Sequence, residues 1–88
     1  MTGREKYYVY CEMYDKAREL EKRLERALQN SGYNVYCVFI SVGKEEERYY
    51  NVDIEYSKGT PDTYHKTRGL VTEEKLIKFV ESKERSAK

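Results

Sequence analysis

Residues 48–57, Arg48-Tyr49-Tyr50-Asn51-Val52-Asp53-Ile54-Glu55-Tyr56-Ser57, alternate without a break. Tyr50, Val52, Ile54 and Tyr56 fall on one side; Tyr49, Asn51, Asp53 and Glu55 fall on the other. That is the period-two pattern of a strand with one dry face and one wet face. The segment therefore fixes which side of a sheet must be covered and which can stay open.

Working outward, Tyr33-Asn34-Val35-Tyr36-Cys37-Val38-Phe39-Ile40-Ser41-Val42 reads as a second strand, joined to the first by the polar turn Gly43-Lys44-Glu45-Glu46-Glu47. The two make a hairpin. Further upstream, Ala17, Leu20, Leu24, Ala27 and Leu28 recur at helical spacing among Lys, Arg and Glu, which predicts an amphipathic helix over 15–31. Asp15 is placed to cap it, and Gly32 to take the left-handed position beyond its end. Residues 6–14 alternate, with Tyr7, Val9, Cys11 and Met13 against Tyr8, Tyr10, Glu12 and Tyr14, and read as a strand ending near Met13. Downstream, Gly59-Thr60-Pro61-Asp62 is turn chemistry, and Thr63 to Val71 either pairs as an outer strand or forms a long loop. Thr72, followed by Glu73 and Glu74, caps a last helix whose Leu76, Ile77 and Val80 pack inward with Phe79 at the margin.

The expected fold class is α+β, a two-layer sandwich. A mainly antiparallel sheet of three or four strands carries two helices on one face, in the order strand, helix, strand, strand, an optional strand, helix. The first helix is expected to make a right-handed crossover. One domain spans 1–88, with 1–5 and 84–88 as frayed tails.

At 88 residues the chain buries a modest core, which a partner copy would help. Seventeen Lys and Arg nearly cancel sixteen Asp and Glu, so the whole surface is not built to grip phosphate. High mixed charge is a compositional trait shared with thermophile proteins. No apolar run approaches a membrane span, and the charged start Met1-Thr2-Gly3-Arg4-Glu5-Lys6 is not a secretory signal. A cytoplasmic location without membrane partners is the expectation. Cys11 and Cys37 then read as reduced, buried thiols, with a bridge between neighbouring strands as the sharper alternative.

Ten tyrosines and no tryptophan suit a surface that is dry only part of the time. With both helices on one face, the other is left bare. The strand 33–42 is apolar on both sides, with Val35, Cys37 and Phe39 on one and Tyr36, Val38, Ile40 and Val42 on the other, so one set must look outward. The expected contact residues on the bare face are Tyr8, Tyr10, Tyr36, Val38, Ile40 and Tyr49, flanked by Glu12, Asp53 and Glu55. The functional expectation is a small non-enzymatic protein-interaction module, of regulator or inhibitor type, that binds a protein partner or a second copy as a homodimer.

Lys58, Tyr64, His65, Lys66 and Arg68 form a basic segment and the alternative reading, a nucleic-acid-binding module. Helix, three strands, helix is also the element order of double-stranded-RNA-binding domains, which the chain resembles in that respect. The resemblance implies shape and phosphate contacts to a duplex. Where that family has basic residues at the start of its last helix, this chain has Glu73 and Glu74. The stretch Tyr8 to Phe39 resembles the opening strand-helix-strand of the CRISPR-associated Cas2 proteins, through Tyr14-Asp15 and Val35-Tyr36-Cys37-Val38-Phe39. The helix stands too close to Asp15 for any residue role to be carried over.

No catalytic residue is assigned, and no cofactor or metal is expected. His65 stands alone, and two distant cysteines with one histidine do not make a zinc spacing. Glu12, Asp53 and Glu55 on one face are the only candidate for Mg²⁺-dependent phosphodiester cleavage.

Overall fold

The computed structural model describes residues 2–87, which form helix α1 (Gly3–Asn30), strands β1 (Asn34–Lys44), β2 (Tyr49–Ser57) and β3 (His65–Thr72), and helix α2 (Glu73–Ser86), with a 3-10 turn at Pro61–Thr63. The class is α+β, as expected: helices and one antiparallel sheet in the order β1-β2-β3. The element order is helix, three strands, helix, on which the resemblance to double-stranded-RNA-binding domains rests.

The departure from expectation is at the start. Residues 6–14 are not a strand but the first part of α1, and Asp15 is an exposed residue inside that helix rather than its cap. The reason sits at Thr2. Its hydroxyl accepts from the Glu5 N–H, and the Glu5 carboxylate reaches back to the Thr2 N–H, a capping box that nucleates the helix early. From there Val9, Met13, Ala17, Leu20 and Leu24 follow spacings of four, four, three and four, so one apolar stripe runs through the whole element. Strand propensity of Tyr and Val is context-dependent and yields to this longer periodicity. No crossover connects two strands, and the likeness to the Cas2 opening disappears with the missing strand.

α1 has 28 residues and is about 42 Å long. Ser31 ends it, and Gly32 at φ +88° turns the chain into β1, as its position predicts. β1 then runs back beneath α1: Arg18 and Glu21 meet Ile40, and Lys6 reaches Glu46 beyond the strand's far end.

β2 is the central strand and keeps the polarity read from its sequence. Tyr50, Val52, Ile54 and Tyr56 are buried with Met13, Leu20 and Leu24 of α1, Ile40 of β1, and Leu76 and Val80 of α2. Both helices thus meet the same side of the sheet. β1 is an edge strand, and its two-sided greasiness has a simple resolution. An irregularity in the ladder between Val35 and Cys37 shifts the parity. Val35 lies opposite Tyr56, Val38 opposite Ile54, Ile40 opposite Val52 and Val42 opposite Tyr50, so all these apolar residues look toward the helices. Cys37, Phe39 and Ser41 look away.

Residues 65–72 pair with β2 as the outer strand, which settles the segment left open between strand and loop. Thr72 caps α2 through the Lys75 N–H. α2 continues to Ser86 and α1 begins at Gly3, so much of the segments expected as tails is helical. Arg23 and Glu84 clamp the two helices with paired bonds of 2.9 and 2.7 Å.

Arg48 ties the other end together. It holds φ at +53°, an unusual conformation for a side-chain-bearing residue, in the turn between β1 and β2. Its guanidinium bonds Glu12 of α1 at 2.9 Å and Glu73 of α2 at 3.3 Å, and its carbonyl accepts from the Glu73 N–H. The Tyr50 hydroxyl, fully buried, donates to the same Glu73 carboxylate at 2.6 Å. Burial first, then the bonded carboxylate, pushes the Tyr50 pKa far above that of a free phenol.

Candidate interaction surface

The face of the sheet turned away from the helices carries Cys37, Phe39 and Ser41 from β1, Asn51, Asp53 and Glu55 from β2, and Lys66, Arg68 and Leu70 from β3. Phe39 is 52% exposed and Leu70 49%. Leu70 leans across β2 toward β1: a Cβ added at Gly43 would lie 2.6 Å from Leu70 Cδ2. That close approach is why the β1 position there is a glycine. Tyr36 and Tyr64 stand exposed on the same surface, Tyr36 bonded to Ser57 and Tyr64 donating to Glu55.

Between these apolar groups the charges answer one another. Arg68 lies 3.8 Å from Asp53, and Lys66 stands opposite Glu55 in the ladder. The Cys37 thiol donates to the Asp53 carbonyl at 3.3 Å, and burial pushes its pKa up. Cys37 and Cys11 are both free; with Cys11 on α1, the alternative of a bridge between adjacent strands falls.

The expected contact set divides. Tyr36 and Tyr49 belong to the sheet. Ile40 is fully buried and Val38 is half-buried on the helix side, because the β1 irregularity turns Phe39 outward in their place. Tyr8 and Tyr10 lie on α1, exposed with Tyr7 and Tyr14 but remote from the open sheet face. Phe39 and Leu70 were missed as a pair. Phe39 was recognisable as one of two parity options; Leu70 fell in the segment whose pairing was unresolved.

The basic segment divides too. Lys66 and Arg68 share the open face with carboxylates. His65 stacks on Tyr56 at 5.0 Å, and the Lys58 ammonium sits 4.8 Å from the Tyr33 ring centre. Tyr64 is engaged by Glu55. Glu12 is bonded to Arg48 on the helix side, so it does not join Asp53 and Glu55, and among the described residues no group of three or more acidic, His or Cys side chains is arranged to hold a metal ion. Among the described residues no helix is long and apolar enough to cross a membrane.

A further concavity lies on the helix side. Val52 and Ile54 form its floor, Val71, Leu76 and Phe79 its walls, and Thr67 and Lys75 its rim, enclosing about 130 Å³. That is well below the several hundred Å³ of a typical small-molecule site. Its inner lining is apolar, a small slot beside β3.

The chain matches no protein-family model, no curated protein and no solved structure.

Proposed function

We propose that this chain is a non-enzymatic protein-interaction module that pairs with a second copy of itself through the open sheet face. The observation that carries the reading is the exposure of Phe39 and Leu70 on a face whose charged residues are compensated locally. Covering two large exposed apolar side chains on one face of a small sheet is favourable, which a partner surface would do. Asp53 and Glu55 set against Lys66 and Arg68 leave the face without excess charge, so two copies approach without net repulsion. The same carboxylates weigh against a surface that grips nucleic-acid phosphates, as do Glu45, Glu46 and Glu47 in the neighbouring turn.

Strands of about nine residues at about 4.8 Å spacing give a face of roughly 14 by 30 Å, on the order of 400 Å² per copy. That is about half the area each partner contributes to a standard interface, so the pair should be weak and concentration-dependent. Light scattering across a dilution series tests this. The mass should rise toward a dimer as concentration rises, and Phe39→Lys should hold it at the monomer without altering the circular dichroism. A constant monomer mass in the parent chain would remove the reading, as would undiminished pairing in the variant.

A further inference from the structure

The two free edges of the sheet are treated differently. At β1, Arg18 Nη2 donates to the Ile40 carbonyl at 2.5 Å and the Ile40 N–H donates to Glu21 at 2.8 Å. Both outward-pointing backbone groups of Ile40 are thereby occupied by α1, and a further strand cannot zip along that edge. At β3, among the described residues, no side chain bonds the backbone of His65–Val71. Residues His65 to Leu70 are all exposed. An exposed, unfilled edge is the feature that strand addition uses.

The inner side of β3 is also under-filled. Gly69 holds φ +136°, and a Cβ there would meet nothing within 4 Å. A glycine inside a strand often marks the place where another backbone comes close. Next to it opens the slot walled by Val71, Leu76 and Phe79. A strand laid beside β3 would send every second side chain to the helix side, level with this slot. Lys75 stands at the mouth of the slot, and on the opposite side of the strand Lys66 and Arg68 are the outermost charges, each beyond the β2 carboxylate it faces. A second β3 laid against the first would bring Lys66 and Arg68 near their own copies, which is unfavourable.

We propose that the free edge of β3 is a docking site for an extended acidic peptide, which adds as a fourth strand and inserts an aliphatic side chain between Val71, Leu76 and Phe79. Main-chain hydrogen bonds supply the affinity, the slot selects the side chain sent to the helix side, and Lys66 and Arg68 select acidic residues at the alternate positions sent to the other side. The slot lies on the helix side of the sheet, and although Lys66 and Arg68 border the open face, Phe39 takes no part in the site. It stands or falls independently of self-pairing.

The test uses the full chain, labelled with ¹⁵N and titrated with a short synthetic peptide alternating glutamate and leucine. The expected result is amide shifts concentrated on Lys66–Val71 and around Leu76, with slowed hydrogen exchange along β3. Replacing the leucines by serine, or the glutamates by lysine, should weaken binding by about tenfold or more. Lys66→Glu combined with Arg68→Glu should do the same, while Phe39→Lys should leave it unchanged. Shifts centred on Cys37–Ser41, equal binding of the lysine peptide, or no shift at millimolar peptide would overturn the proposal. So would a stronger response of the β3 amides to an RNA duplex than to the acidic peptide.

Discussion

Removing a single oxygen atom at Tyr50 should loosen the first turn of α2. The ring of Tyr50 is buried in the core and the Tyr50→Phe change leaves it there, so no cavity opens. What is lost is a 2.6 Å bond from a buried hydroxyl to the Glu73 carboxylate. Hydrogen bonds to charged groups contribute about 1.5–3 kcal/mol. Glu73 keeps Arg48 at 3.3 Å and is partly reached by water, so the lower end applies, about 1.5 kcal/mol. With an unfolding entropy of about 2.1 cal/mol/K per residue, a chain of 88 residues should melt about 8 °C lower. The pH dependence supplies a second, sharper signature. The pKa of Tyr50 is raised in the folded state, so its contribution is complete below the phenol's unfolded value near 10 and is lost as pH climbs toward the folded value. The parent should therefore lose stability above about pH 10 at up to about 1.4 kcal/mol per pH unit more steeply than Tyr50→Phe. Tyr7 and Tyr64 are also raised and remain in both proteins, so the difference isolates Tyr50. Urea titrations at pH 7 and 11 measure both effects. A variant with unchanged midpoint at pH 7 and an unchanged gap at pH 11 would refute the account of Glu73 as the anchor of α2.

Other outcomes follow from the same structure. Glu21→Ala frees the Ile40 N–H at the β1 edge and should cost about 1–2 kcal/mol in urea midpoint while raising aggregation in light scattering. Thr72→Ala removes the cap of α2 and should cost about 1 kcal/mol, read in the same titration. Gly43→Ala places a methyl against Leu70 and the Tyr49 carbonyl, and should destabilise by about 1–3 kcal/mol with displaced Leu70 methyl resonances.

What the chain announces about itself depends on how far each pattern extends. The β2 alternation is long enough, and polar enough on one side, to place Tyr50, Val52, Ile54 and Tyr56 without error. The Thr72 cap and the stripe from Ala17 to Leu28 are equally plain. Residues 6–14 mislead because a run of tyrosines satisfies both periods at once. Tyr7, Val9, Cys11 and Met13 fit an alternation, while Val9 and Met13 also extend the helical stripe. The deciding signal, Thr2-Gly3-Arg4-Glu5, lies ahead of the ambiguous stretch and is a capping-box pattern. On β1 the error has another source. A shift of parity between Val35 and Cys37 has no local mark in the residues, since neither glycine nor proline stands there, and it reverses the side on which Phe39 emerges. Leu70 was hidden because its exposure depends on β3 pairing beside β2, a long-range event.

The contrast between the sheet's flanks has a bearing on how the protein survives at high concentration. Endless ribbons require each subunit to offer one receptive border and one donor border. Here one border is stoppered by its own helix, and the other sets Lys66 and Arg68 outermost, so two such borders would meet cation to cation. Growth by stacking strand on strand therefore has nowhere to begin, and any oligomer this molecule makes should be finite.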